Sequence, residues 1–411
     1  MSKLKRSILP VFLGLFLFIL FSQALSLEKK EDTFKALKLF SQIFRLIEEN
    51  YVTEVNPKDL IFGAIEGMLS SLDPYSSLMK PDEFKELEIE TKGSFTGIGI
   101  EITIKDDILT VVAPIEDTPA WKAGLKPGDK ILKIDEKSTK GMKITEAVKL
   151  LRGPKGTPVK LTILRNEKDV FEVTIIRDVI PIRSVKAKLL EPGYGYVRIS
   201  QFQEKTLEEL VEALKKLEKE TDLKGIVLDL RNNPGGLLSS AVEISDEFLE
   251  NGTIVSIKGR NPSNQMEFKA TKNPPDRQHK YPIVILINHG TASAAEIVTG
   301  ALKDNKRALV VGEKSFGKGS VQTVIPIEDN YAVRLTTAYY YTPSGININK
   351  QGIKPDFEIP QMDLAKKQSP HETSSKENTT ISSLTSPEDD FQVKMALNLL
   401  KNIAVISHLK Y

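Results

Sequence analysis

The stretch Gly225-Ile226-Val227-Leu228-Asp229-Leu230-Arg231-Asn232-Asn233-Pro234-Gly235-Gly236-Leu237 decides the fold class. Gly225–Leu230 is apolar apart from Asp229, the pattern of a strand buried on both faces in a helix-flanked parallel sheet. Pro234, Gly235 and Gly236 break the strand. Helical periodicity then runs from Leu237 to Leu249. The same order recurs downstream: Ile283–Ile287 reads as a buried strand, Asn288–Gly290 as a turn and Ala292–Asp304 as a helix. Tyr194–Ile199, Leu309–Val311 and Tyr331–Tyr341 add strands, and Leu207–Glu220 adds a helix. Residues 179–360 therefore read as an α/β core with crossovers.

Upstream, the character changes. In 93–178, Gly93, Gly97 and Gly99 stand among β-branched residues, and short strands follow at Ile108–Val112, Ile131–Ile134, Val159–Leu164 and Val170–Ile176. A Pro127-Gly128-Asp129 turn and a helix over Thr145–Leu151 complete a small β-domain. Residues 28–92 carry helical stripes (Phe34, Leu37, Phe40, Ile43, Phe44 and Ile47; then Leu60, Ala64, Ile65 and Met68), with Pro81 placed to open a third helix. Residues 361–390 are dominated by Ser, Thr, Lys, Gln and Pro, too polar to order themselves. The end of the chain, 391–411, recovers helical spacing.

The N-terminus has a secretory layout. Lys3, Lys5 and Arg6 precede the apolar run Ile8–Phe21, and small residues follow at Ser22–Ser26. The run is shorter than the roughly 20 residues of a comfortable membrane span. Cleavage after Ala24 or Ser26 and retention as an anchor both fit. Composition excludes other classes. The 411 residues carry a net charge of +2, which gives nucleic-acid binding no footing. There is no cysteine, hence no thiol nucleophile, thiolate metal site or disulfide. The four histidines (His279, His289, His371 and His408) form no HExxH pair, although His279 or His289 leaves a Ser-His-Asp arrangement formally open.

Three glycine-bearing turns fall where open α/β sheets place their sites, at strand C-terminal ends. The first is the opening stretch. It is compatible with a plain strand-to-helix turn, and also with anion binding by free N–H groups at the helix start. No Gly-Lys-Ser/Thr follows to make it a phosphate loop. The second, Asn288–Glu296, puts Ser293 near a helix N-terminus, where the dipole favours a developing anion and where a simple N-cap is the alternative. The third, Gly312–Gln322, flanks Lys318 with glycines. A lysine kept dry there loses its charge and serves as a base; a solvated loop lysine is the alternative. Gln322, four residues on, is placed to orient the amine.

The strings TASAAEIVTGALKD, GEKSFGKGSVQ and DLRNNPGGLL resemble the three signature segments of the C-terminal processing peptidases, the tail-specific proteases. The resemblance covers about residues 35–360. It implies an α/β multidomain protein: an N-terminal helical cap, a PDZ β-domain inserted before an α/β peptidase core, and a C-terminal helical tail. The corresponding ranges are 1–27 for the signal peptide or anchor, 28–92 helical, 93–178 PDZ, 179–360 peptidase, 361–390 linker and 391–411 helix. The resemblance further implies Ser293 as nucleophile, Lys318 as general base and Gln322 as its orienter. Backbone N–H groups of Gly236 and Ala294 would form the oxyanion hole, with Gly235 the less favoured neighbour. Ala295 departs from the family pattern, since many members carry a second serine there; that position is not the nucleophile.

Phe95-Thr96-Gly97-Ile98-Gly99-Ile100 resembles the carboxylate-binding loop of PDZ domains, with Thr96, Gly97, Ile98, Gly99 and Ile100 as the peptide-binding residues. Arg152 directly follows the PDZ helix and reads either as a sensor that couples tail binding to the core or as a helix C-terminal charge. The expected enzyme is a serine endopeptidase acting on protein substrates with accessible C-terminal tails. It needs no metal or organic cofactor, binds no nucleic acid, and touches membrane through the N-terminal segment if that stays uncleaved. Its expected place is exported, in the bacterial periplasm or cell envelope. Homodimer or higher oligomer is left open. A catalytically inactive PDZ adaptor and a crotonase-like acyl-CoA enzyme are the rivals, and neither requires Ser293 and Lys318 together.

Overall fold

The computed structural model describes residues 31–105, 107–261, 265–271, 279–361 and 386–408. The expected signal segment, most of the 361–390 linker and His371 lie outside them. Two compact units divide the chain after Leu78. In the first, residues 31–50 form α1 and Pro57–Ser70 form α2. Asn56 caps α2 by accepting the Lys58 N–H at 3.0 Å, and Pro57 takes the first helical turn, where no amide partner is needed. Phe34, Leu37, Phe40, Ile43 and Leu46 of α1 are exposed. Among the described residues no helix is long and apolar enough to cross a membrane.

The second unit begins with α3 (Pro81–Lys92), ended by Gly93 in the left-handed conformation at φ +66°. Gly93 turns the chain into the strand Ser94–Gly97, which pairs antiparallel with Asp178–Pro181. That ribbon closes the ends of a small β-domain. Its sheet runs in the order Ile100–Lys105, Ile108–Pro114, Lys130–Ile134, Pro158–Arg165, Asp169–Ile176, with Ile100–Lys105 at one edge. Two helices belong to it, the single turn α4 (Pro119–Lys122) and α5 (Ile144–Leu151). Ile131, Ile134, Val159, Leu161, Ile163 and Ala147 form its core. Arg177, almost wholly buried, donates to the carbonyls of Leu150, Leu151 and Pro158 at 2.7–3.1 Å and so satisfies the C-terminal end of α5.

The α/β core has a six-stranded sheet in the order Val185–Glu191, Tyr194–Ile199, Gly225–Asp229, Ile283–Ile287, Ala308–Gly312, Phe357–Glu358. All its pairs are parallel except the first. The unbroken apolar strands follow from burial on both faces. Ile226, Leu228, Ile283, Ile285 and Ile287 pack with α6 (Thr206–Glu220), α7 (Leu238–Phe248) and α8 (Ala294–Asp304). Val227, Val284, Leu286 and Val311 face the other way and pack with Val393, Ala396 and Leu400 of α9 (Phe391–His408). The C-terminal helix thus covers a sheet face that would otherwise be exposed. An antiparallel sheet carries the hairpin Ser320–Pro326/Ala332–Tyr341 and the strands Thr253–Gly259 and Met266–Lys269.

Candidate active site

Ser293 stands at the N-cap of α8 with φ +55° and ψ −117°. A non-glycine residue held there costs on the order of 1–3 kcal/mol, which the surroundings must offset. They do so through Glu296, one turn into α8 and fully buried. Its Oε2 accepts the N–H of Ser293 and of Lys318, both at 2.9 Å. Its Oε1 accepts the Ser315 hydroxyl at 2.6 Å and the Gly317 N–H at 2.8 Å. One carboxylate therefore joins the serine turn to the lysine loop. Burial pushes its carboxyl above the ordinary range, and the four donors oppose that shift.

The Asn233–Gly236 turn packs against the same serine. The Ala292 N–H donates to the Asn233 carbonyl at 2.9 Å, and the Phe316 N–H to the Thr291 carbonyl at 2.9 Å. A Cβ on Gly235 would lie 2.7 Å from the Ser293 Cβ, and one on Gly236, at φ +138°, would lie 2.0 Å from the Phe202 carbonyl oxygen. Glycine is required at both positions for this approach. The two differ in one respect. The Gly235 N–H donates to Asn233 Oδ1 at 2.9 Å, whereas the N–H groups of Gly236 and Ala294 meet no acceptor among the described residues. Buried backbone donors are rarely left so.

Ser293, Lys318, Gln322 and the Gly235-Gly236 turn line one cavity of about 640 Å3, with Phe84, Leu87 and Thr91 of α3 forming another wall. Burial and the nearby Arg334 charge hold the Lys318 amine below the ordinary lysine range, and Glu296 pulls it back part of the way. The glycines beside Lys318 allow close backbone packing: a Cβ on Gly319 would lie 2.2 Å from the Asn349 nitrogen. Gln322 donates its amide to Ser320 Oγ at 2.7 Å and Thr336 Oγ1 at 3.3 Å. Its carbonyl oxygen meets no donor among the described residues. His289 is exposed, with Nε2 4.0 Å from Glu313, and His279 lies between Glu218 and Glu247 in a different cavity. Neither lines the cavity that holds Ser293.

The first turn is braced from below. Asp229, fully buried, accepts from Arg231 at 2.7–3.0 Å and from the Tyr196 hydroxyl at 2.8 Å. Burial alone would raise its carboxyl, but the Arg231 hydrogen bonds and the charges of Arg231 and Arg198 outweigh that and hold it below the usual range. Arg231 also donates to Asp390 at 2.8 Å and to Gln392 at 2.7 Å, tying α9 to the strand end that carries the glycine turn.

In the β-domain, Thr96 and Gly97 lie on the ribbon strand, Ile98 and Gly99 form the bend and Ile100 begins the edge strand. The bend is buried, and the N–H groups of Ile98 and Gly99 meet no acceptor among the described residues. Arg152 lies over the Phe95 ring, 5.1 Å from its centroid, and is ion-paired with Glu86 of α3. Lys149 pairs with Asp82 of the same helix at 2.7 Å. One side of α3 thus meets the end of α5, while Phe84, Leu87 and Thr91 line the cavity of Ser293.

Residue type and motif spacing singled out Ser293, Lys318 and Gln322, but not Glu296, Arg177, Asp390 or the pairs on α3. Glu296 falls inside the quoted string TASAAEIVTGALKD, three residues after Ser293, the spacing of a capping box; that was the available signal.

Comparison with known proteins gives concordant matches. Residues 193–359 match the model for Peptidase family S41, 110–165 that for a PDZ domain, and 22–83 that for the activating protease CtpB N-terminal domain. The chain is 47% identical over 363 residues to a carboxy-terminal-processing protease of Bartonella bacilliformis, covering 87% of this chain and 83% of that one. It is 40% identical over 328 residues to the carboxy-terminal processing protease CtpA of Bacillus subtilis, covering 79% and 69%. A solved photosystem II D1 C-terminal processing protease is 32% identical with a TM-score of 0.45, covering 78% of this chain and 92% of that one.

Proposed function

The chain belongs to the carboxy-terminal processing proteases of peptidase family S41 and is a serine peptidase, and we propose that it cuts proteins in or near their C-terminal regions through a Ser293–Lys318 dyad. The observation that carries this reading is the pair of unspent N–H groups, Gly236 and Ala294, beside Ser293 in a cavity shared with a lysine of depressed pKa. Neutral Lys318 takes the Ser293 hydroxyl proton as the oxygen attacks the scissile carbonyl. The oxyanion falls between the two N–H groups, which need no reorganisation to receive it. The protonated lysine hands its proton to the leaving amine, and the same base then activates the water that frees the acyl-enzyme. The Gln322 carbonyl oxygen, which meets no other donor among the described residues, would receive the lysine's N–H when Lys318 turns to the substrate and so keep it aimed.

The 93–178 domain takes the C-terminal carboxylate of a substrate or partner on the Ile98 and Gly99 amides, and the peptide extends the sheet at the Ile100–Lys105 edge. Tail binding is transmitted through Arg152 and Glu86 to α3 and so to the cavity wall. The basic and apolar N-terminus supports export to the cell envelope, with a membrane anchor where the segment is retained. No feature favours the inactive adaptor.

The test is cleavage of a loosely folded protein with an apolar C-terminus by the chain from residue 28 onward, with Ser293→Ala and Lys318→Ala alongside. Both variants are expected to fold and to lose cleavage. Equal activity in all three refutes the dyad.

A further inference from the structure

Besides Lys318 the cavity is lined by two basic residues to which the reaction gives no role as acid, base or donor: Arg334, and Lys92, exposed at the end of α3. Arg334 stands opposite Val324 in the hairpin, and Gln322, Val324 and Pro326 alternate onto the face that lines the cavity with it. A guanidinium remains charged and offers five donors. Other well-covered arginines of this chain spend theirs: Arg165 on Asp129, Arg231 on Asp229 and Asp390, Arg307 on the Phe248 and Tyr281 carbonyls. Arg334 is half-buried and has no hydrogen-bond or ion-pair partner among the described residues. It lines the same cavity as Ser293 and Lys318. The acids Glu88, Glu90 and Glu204 line the cavity without pairing to it.

We propose that Arg334 is a specificity residue that receives a carboxylate of the bound substrate near the scissile bond. The argument rests on the Ser293–Lys318 reading. Arg334 is one strand across and two residues along from Gln322, and a strand rises about 3.3 Å per residue. With the reach of its own side chain, that places the carboxylate roughly one to three substrate residues from the scissile carbonyl. The carboxylate is either an Asp or Glu side chain or the α-carboxylate of a short tail. Both present two oxygens to the planar fork, which lysine cannot match.

The experiment uses peptides identical except for Asp or its isostere Asn, moved through three positions on each side of the cleaved bond. All end in an amide, so that the β-domain loop is not engaged. One further pair ends within that window as free acid or amide. Wild type, Arg334→Gln, Arg334→Lys, Arg334→Glu and Ser293→Ala are compared. Wild type is expected to favour Asp over Asn in kcat/KM by about tenfold or more at one position, as a charge-assisted hydrogen bond allows. Arg334→Gln should bring the ratio close to one, Arg334→Glu should invert it, and Arg334→Lys should keep part of it. Paired affinities of Ser293→Ala for the same peptides read the preference without turnover. A larger acid-to-amide ratio for the terminal pair than for Asp against Asn assigns the α-carboxylate, and the reverse assigns the side chain. The difference between wild type and Arg334→Gln isolates this residue, because both retain the β-domain loop. Ratios near one at every position in wild type, or unchanged in Arg334→Gln, overturn the proposal. A uniform alkaline shift of all substrates in Arg334→Gln with unchanged ratios would mean that Arg334 only tunes Lys318, which also overturns it. Cleavage by Ser293→Ala at the wild-type rate would instead sink the dyad reading.

Discussion

Replacing Glu296 should separate the nucleophile from the base without touching either. Its two oxygens accept four hydrogen bonds, three from backbone N–H groups at Ser293, Gly317 and Lys318. In Glu296→Gln one acceptor becomes a donor. With the amide oxygen kept on Ser293 and Lys318, the new NH2 faces the Ser315 hydroxyl, which has a lone pair to offer, and the Gly317 N–H, which has none. The Gly317 N–H is orphaned and the Ser315 hydroxyl proton loses its acceptor, at about 1–3 kcal/mol for each donor left unpaired. Removal of a buried charge offsets part of this, because burial already pushes the Glu296 carboxyl up. In Glu296→Ala three backbone donors lose their acceptor. Even at about 1 kcal/mol each, with a cavity added, the cost reaches roughly 3–5 kcal/mol.

The larger effect should fall on the chemistry. Ser293 and Lys318 hang from the same oxygen, and a misplacement of about 1 Å between reacting groups costs on the order of a hundredfold in rate. The expectation is a fall in kcat of about tenfold or more for Glu296→Gln and at least a hundredfold for Glu296→Ala, with KM changed far less. Urea unfolding and steady-state kinetics on one peptide measure the two effects separately. An alanine variant with wild-type midpoint and wild-type kcat would refute the clamp. A variant destabilised by several kcal/mol yet undiminished in kcat would refute its role in alignment while leaving its structural role intact.

Two other outcomes are expected. The reaction needs Lys318 neutral, and burial and Arg334 hold its pKa below the ordinary lysine value, so kcat/KM should rise with pH along a limb centred below about 10.4. The same shift means that the unfolded chain binds the extra proton, so the lysine's contribution to stability should grow as pH rises from the depressed value toward the ordinary one. A rate flat from about pH 6 to 10 in buffered steady-state assays would contradict the general-base role. Arg152→Ala and Glu86→Gln should each reduce the stimulation of cleavage by an added tail peptide, measured as the ratio of rates with and without it; an unchanged ratio in both would remove α3 from the coupling path.

What could be read in the chain and what could not follows from the range of the interactions. The strands Gly225–Asp229 and Ile283–Ile287 were legible because both their faces are buried, one under α7 and α8 and one under α9, so no polar position but the terminal Asp229 interrupts them. The helix after the second turn begins two residues later than periodicity suggests, at Ala294 rather than Ala292, because Ser293 at φ +55° cannot lie inside a helix. The antiparallel strands Thr253–Gly259, Met266–Lys269 and Ser320–Pro326 were not singled out. They are half exposed, and although two of their pairings are local hairpins, the sheet is joined only where Thr253–Gly259 meets Ala332–Tyr341, remote in sequence, so no local pattern marks them strongly.

The same distinction separates the candidate catalytic residues from those that hold them. Glycine pairs, a serine at a helix start and a lysine between glycines announce local backbone requirements, and those are visible in a string of letters. Glu296 looks like one acid among many on a helix, and its role exists only because residues 315–318 fold back on it. Arg231 next to Asp229 looks like a surface pair until Asp390, 159 residues away, completes its coordination. Those two long-range polar contacts do related work. The first fixes the serine against the lysine, and the second fixes the strand end from which the Gly235-Gly236 turn departs. A site assembled from three turns at the ends of different strands needs such ties, since no single segment of chain can hold a nucleophile, a base and two oxyanion donors to the tolerance that the chemistry demands.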